Sequence, residues 1–297
     1  MIQNTPEANR PGRMLLLLVL FVVVGNLLAL LLFTPVAYAV PGFREMLFEG
    51  APQSAAFLRT MMFVSIPVTF LLPAWYVQVY SGVKSSRSFV GLTTSPQAKW
   101  IFGAMLLVLA CQPFLNLIGD WNKHLVLPDT LSGIEEWMRH AEQQAGEISK
   151  RVTDTHSPAI LFLNVLIIGV MTGFCEEYLF RGVVQNAFLA RIKNPHVAIW
   201  LTAFIFSFVH FQFYGFLPRL VLGVLLGYLA FANGSLWPSV VAHIFNNSAV
   251  VIILFLQHNG YMGSEIDTWG IGSTAWVGLL SLILSVVLFK LLSAKNQ

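Results

Sequence analysis

Two adjacent carboxylates, followed four residues later by an arginine, stand inside one apolar run: ILFLNVLIIGVMTGFCEEYLFRGVVQNAF holds Glu176, Glu177 and Arg181. On a helix Arg181 stacks over Glu177, while Glu176 is turned away by about 100°. One carboxylate can therefore be paired and its neighbour left free. Further along, AIWLTAFIFSFVHFQF places Phe206 and His210 four apart on one face, and SLWPSVVAHIFNNSAVVIIL does the same with His243 and Asn247. Carboxylate and imidazole are what hydrolysis requires. One group deprotonates water, and another binds a metal, donates to a developing oxyanion or protonates a leaving amine. Each feature also has a structural reading. The charges can form a satisfied ion cluster at the end of a span, a lone histidine on an apolar helix is more often a hydrogen-bonded packing residue, and Asn246 and Asn247 can join helices by hydrogen bonds. What favours chemistry is their coincidence within about 70 residues, on segments otherwise nearly bare of the ionisable groups that hydrocarbon makes costly.

Positioning these groups falls to membrane helices. With 56% hydrophobic and 10% charged residues and a mean hydropathy of +0.71, the chain is one whose solvent is largely lipid. Runs of about 20 apolar residues, the length that crosses a bilayer, occur near 14–34, 57–80, 99–119, 158–178, 196–211, 218–232, 237–256 and 273–292. The fifth and sixth are short. The fold class expected is all-α, a polytopic integral membrane bundle of about eight transmembrane helices. The first run follows Arg10 and Arg13 like the start of a signal peptide, but it is long enough to span and is read as a retained first helix. The polar stretch 120–157 contains IEEWMRHAEQQAGEISKR, an amphipathic helix expected outside the hydrocarbon. This divides the chain into 1–157 (three spans and the polar segment), a four-helix core at 158–256 and a last span within 257–297.

A formal charge of +3, dispersed along the chain, excludes a nucleic-acid surface. Cys111 and Cys175 both lie in apolar segments with no zinc-ligand spacing, and Cys175 reads as a small buried residue. Cytoplasmic termini would put Arg10, Arg13, Lys84, Arg87, Lys99, Arg191, Lys193, Lys290 and Lys295 inside, a modest excess over the other side. Gly215, Gly223, Gly227, Gly234, Ser235 and Ser239 read as close-packing or turn positions, and Gly223-x-x-x-Gly227 as a weak helix-pairing signal.

The three motifs also carry a resemblance. Glu176-Glu177-Tyr178-Leu179-Phe180-Arg181 fits E-E-x-x-x-R, Phe206-Ser207-Phe208-Val209-His210 fits F-x-x-x-H, and His243-Ile244-Phe245-Asn246-Asn247 fits H-x-x-x-N, in order and on successive apolar segments. In this respect residues 158–256 resemble the CAAX protease and bacteriocin-processing (Abi-type) family of intramembrane proteases. The resemblance implies an endopeptidase in which Glu176 activates water with help from His210. His243 and Asn247 would stabilise the oxyanion or complete the site, with Glu177 and Arg181 in support and Phe206 beside them. Glu176, His210 and His243 would make a zinc set with one position open to water, whereas a Glu-His pair can activate water without metal; the metalloprotease description is preferred. The implied partners are a peptide or membrane-protein substrate and the lipid bilayer, in a bacterial plasma membrane. Two other classes stay open. One is an ion- or proton-coupled transporter, which predicts repeats or broken helices in corresponding halves, and none is evident. The other is a non-catalytic scaffold derived from a protease. One tension remains: Glu176 and His243 fall toward the inner side, while His210 closes the fifth span toward the outer side. Convergence requires the fourth helix to tilt or the fifth to start deeper.

Overall fold

The computed structural model describes residues 54–80 and 91–294, with scattered residues between 16 and 31. About half of the first expected span, 14–34, lies outside the described residues; those of it that are described are helical. No strand occurs among the described residues. Among the described residues, six helices are long and apolar enough to cross a membrane: α1 (Ala55–Val79), α2 (Ala98–Lys123), α4 (Pro158–Leu189), α6 (Phe213–Asn233), α7 (Trp237–His258) and α8 (Gly272–Ser293). Between them lie α3 (Ser132–Thr153) and α5 (Pro195–Phe208). The protein is a polytopic helical membrane protein. The outer faces agree with this. Along α8, Trp276, Leu279, Leu280, Ile283 and Leu291 are all exposed, a contiguous apolar face that water would not tolerate.

Local sequence sets the helix ends. Ser157 accepts from the Ile160 amide, and Asn194 accepts from the His196 amide at 2.9 Å. A proline follows each cap, at the position where its missing N–H costs nothing. At the other end of α6, Gly234 takes φ +67°, the left-handed conformation that stops a helix and suits glycine.

Two helices differ in length from the sequence expectation. The fourth span was expected over 158–178, with the charges at its end, but α4 is 32 residues long and runs on to Leu189. Glu176 and Glu177 are therefore interior, roughly 20 Å from the C-terminal end. The ion cluster is thus not at the end of the helix. The helix continues because Glu177, Arg181 and Gln185 are buried and bonded to other helices. Conversely, α5 has 14 residues, about 21 Å at 1.5 Å per residue, too short for a hydrocarbon core of about 30 Å. It ends at the turn carrying His210, also roughly 20 Å from its own start. The expected mismatch between Glu176 and His210 is thus removed by a longer α4 and a truncated α5.

Small residues let the helices meet. A Cβ on Gly173 would lie 3.0 Å from the backbone nitrogen of Ile244, so α4 and α7 touch backbone to backbone just below Glu176. A Cβ on Gly223 would lie 3.2 Å from the Phe206 ring, and one on Gly227 would lie 2.8 Å from Ile199. That pair therefore seats α6 against α5. Around these contacts, Val77, Tyr178, Phe180, Val183, Phe206 and Val240 form one buried cluster, and Trp100, Leu107, Leu222, Leu226 and Leu229 another.

Helix α3 is the expected amphipathic segment. Its first turn is fastened by Glu135, which accepts from the Leu127 amide at 2.9 Å and from Arg139. Glu142 accepts from the Tyr214 amide at 3.3 Å, and Trp137 packs on Phe213, ring centroids 5.5 Å apart. Buried Arg59 of α1 donates to Val152 O at the far end of α3 and to Asn164 of α4. The helix is thus pinned across the end of the bundle from which His210 projects.

Candidate active site

Glu177 is the organising group. Its Oε1 accepts from Arg181 Nη1 and from His243 Nδ1, the latter at 2.7 Å, and its Oε2 accepts from Ser239 Oγ. Arg181 Nη2 donates to Gly223 O at 2.9 Å. The Glu177 and Arg181 side chains are completely buried. A buried charge pair survives only when its remaining hydrogen-bonding capacity is also used. Here α4 supplies both ions, α6 a carbonyl, and α7 a hydroxyl and an imidazole. Arg181 Nε and Gln185 Oε1 have no protein partner. Both residues line a cavity of about 200 Å³ bounded also by Gly91, Leu189 and Ala230, roomy enough for water to satisfy them.

The arrangement fixes both histidines. A carboxylate and a carbonyl can only accept, so the nitrogens that face them carry hydrogen. His243 Nδ1–H points at Glu177, and His210 Nδ1–H donates to Phe206 O at 2.7 Å. Both Nε2 atoms are thereby directed at the second carboxylate: His210 Nε2 lies 4.0 Å from Glu176 Oε1 and His243 Nε2 lies 3.6 Å from Glu176 Oε2. These separations exceed a direct hydrogen bond and match the span that a bridging water closes. Glu176 and His243 are buried, whereas the His210 side chain is 26% exposed. Access is from the His210 side.

Phe206 spaces the two rings. It is buried, meets His210 edge-on at 5.1 Å and His243 at 5.8 Å, and lies under the Arg181 guanidinium at 4.6 Å. Glu176, Glu177, Arg181, Phe206, His210 and His243 are thus brought together. Asn247 is not in bonding contact with them. It donates to Ile168 O at 3.4 Å and accepts from Asn246 at 3.2 Å. The three candidate ligands Glu176, His210 and His243 do not close into a metal-binding group, and among the described residues no three His, Cys, Asp or Glu side chains do. Cys111 and Cys175 are buried and free.

Ser239 was read from sequence only as a packing position. Its signal was spacing: Ser239, His243 and Asn247 recur every four residues on one face of α7, as Glu177, Arg181 and Gln185 do on α4.

Residues 158–249 match the sequence profile described as Type II CAAX prenyl endopeptidase Rce1-like. This match agrees with the resemblance of residues 158–256 to the CAAX protease and bacteriocin-processing family. The Rce1-like segment starts at the first residue of α4 and extends into α7, so every residue of the cluster lies within it. The chain is also similar to a Bacillus subtilis (strain 168) protein, Uncharacterized protein YpbD, at 27% identity over 130 residues. That alignment covers 42% of this chain and 61% of the relative, so the chain spans less than two thirds of the relative's length. No solved structure matches.

Proposed function

We propose that the protein is an intramembrane endopeptidase that hydrolyses a peptide bond of a membrane-associated peptide or protein. The observation that carries this reading is the convergence of two imidazole Nε2 atoms on the Glu176 carboxylate, each with its other nitrogen tied off. In the proposed reaction a water held by Glu176 and His210 loses a proton to Glu176 as its oxygen attacks the scissile carbonyl. The resulting oxyanion receives a hydrogen bond from His243 Nε2 when that ring carries both protons, and Glu177 balances the charge. Glu176 then returns the proton to the departing amine, so that one water is consumed and two chain ends form. Arg181 and Ser239 act through Glu177. A role for Asn247 as a second oxyanion donor requires release of its bond to Ile168.

The family resemblance and the Rce1-like profile support endopeptidase chemistry, and the apolar helices support a membrane location. We place the chain in a plasma membrane with both termini cytoplasmic, on the charge distribution of its loops. Zinc enters this proposal as a question for chelation: Glu176, His210 and His243 would hold it, and it would supply a Lewis acid for the water or the carbonyl.

The test is incubation of purified wild type and Glu176→Gln with a peptide library in detergent, each with and without chelator. Cleavage by wild type, reduced at least about 100-fold in Glu176→Gln without loss of folding, supports the reading. Loss of wild-type cleavage on chelation, restored by zinc, assigns a metal. Ion flux that depends on Glu176 and occurs without cleavage points to transport. Cellular function unchanged in Glu176→Gln points to a scaffold.

A further inference from the structure

Arg219 lies in the first turn of the α-helical part of α6, beginning at Phe216, and reaches back over the turn that holds His210. Its Nη1 donates to Gln212 O at 3.3 Å and Ser207 O at 3.5 Å, and its Nη2 donates to Gln212 Oε1 at 3.0 Å. A Cβ on Gly215 would come within 3.0 Å of Nη2, so the glycine leaves the guanidinium its place. All these partners are neutral, and two of the three bonds are long. Arg219 makes no ion pair with any described residue, although Arg181, one turn of chemistry deeper, is fully matched by Glu177. The carboxylates whose charge reaches Arg219 are Glu142 and Glu176. Glu142 is held on α3 by the Tyr214 amide, and Glu176 lies between the histidines.

A cation that is partly buried, lightly held and balanced only at a distance is suited to an anionic ligand. A planar guanidinium fork recognises a carboxylate better than any other peptide group. Because Arg219 bonds the backbone on both sides of His210, its charge stands roughly 5–10 Å from that imidazole, the reach of two or three extended residues.

We propose that Arg219 is a specificity residue that receives a carboxylate of the substrate within a few residues of the scissile bond, either the α-carboxylate of a chain end or an acidic side chain. The inference rests on the protease reading and adds a substrate class to it.

The experiment uses the full chain in detergent and three peptides that share the sequence around a cleaved bond. One ends in a free acid, one in an amide, and one in an amide with a single glutamate introduced near the end. Wild type should favour at least one carboxylate-bearing peptide over the amide by about tenfold or more in kcat/KM, expressed mainly in KM. In Arg219→Gln the ratio should collapse toward one, and Arg219→Lys should retain part of it, with folding of both variants checked by circular dichroism. Preference for the free acid alone assigns a chain end; preference for the glutamate peptide as well assigns any nearby carboxylate. Equal cutting of all three by wild type overturns the proposal while leaving the protease reading intact. So does a uniform loss in Arg219→Gln with the ratio unchanged, which makes Arg219 a brace for the His210 turn. No cleavage of any peptide by wild type removes both.

Discussion

Replacing Arg181 by leucine keeps much of the side chain's apolar volume and strands the Glu177 carboxylate, whose side chain is completely buried. At a contact of about 3 Å and an effective dielectric of about 20, the attraction lost is about 5 kcal/mol. Ser239 and His243 still donate to Glu177, so part of the charge remains compensated. Arg181→Leu should therefore destabilise the fold by about 3–5 kcal/mol, the usual consequence of breaking a buried pair from one side. Glu177→Leu should cost a similar amount, because it leaves the guanidinium with Gly223 O as its one protein hydrogen-bond acceptor and no carboxylate bonded to it. The double replacement Glu177→Leu/Arg181→Leu removes both charges at once and should recover most of the loss, leaving a coupling energy above about 1.5 kcal/mol. Activity should not recover with it, since His243 Nδ1 no longer has an acceptor. The assay is equilibrium unfolding in mixed micelles for the four-member cycle, together with peptide cleavage. Single effects that add within about 0.5 kcal/mol would show that the pair is not coupled, and a double variant as active as wild type would show that Glu177 does not orient His243.

Three further outcomes follow from the same contacts. Ser239→Ala deletes one hydrogen bond to a buried carboxylate and should cost about 1.5–3 kcal/mol in the unfolding assay; an effect below about 0.5 kcal/mol would remove Ser239 from the network. Gly173→Val places side-chain atoms against the Ile244 backbone and should destabilise by about 1–3 kcal/mol, while a cysteine pair across α4 and α7 near this level should crosslink in wild type and poorly in the variant. In α3, the Arg139 side chain first and the Leu127 amide second hold the Glu135 carboxyl below the ordinary carboxylate range. The stabilisation is present in full above the unfolded value of about 4.3 and is lost as pH falls through the lower folded one. The protection factor of the Leu127 amide, its intrinsic exchange rate at each pH divided by the observed one, should accordingly hold down to about pH 4 and fall below it, and in Glu135→Gln it should be flat over that range; a protection factor that already falls between about pH 7 and pH 5 would contradict the sign.

Much of the cluster was legible because helical spacing survives into three dimensions. Glu177 with Arg181 and Phe206 with His210 meet as their four-residue separations require. His243 and Asn247 share a face as expected, yet spacing cannot say which neighbour an amide will choose, and Asn247 bonds Ile168. The lengths of α4 and α5 were misread for one reason. An apolar window scores residues singly, so it ends a span at Glu176-Glu177-Arg181 and carries the next one through to His210. The molecule instead neutralises those charges against Ser239, His243 and Gly223, partners far away in sequence. Arg219 falls at the start of the expected 218–232 span and carries no local signal of a role, since nothing nearby in sequence shows that α6 folds it back over the preceding turn.

The winding of α4 has a consequence for its history. Ordinary α-helix at Thr172–Glu177 is flanked by wide π segments at Val165–Met171 and Tyr178–Gln185. A wide turn accommodates an inserted residue that a regular helix of the same rise would not hold. Excising one residue from Val165–Met171 should let that stretch tighten to regular winding and swing everything before it through about 100°. The grip of Asn164 on Arg59 would then be lost, while the acidic pair kept its orientation toward α7. The two slack turns thus act as phase adjusters on either side of a fixed point, letting the ends of the helix be re-indexed without disturbing its centre.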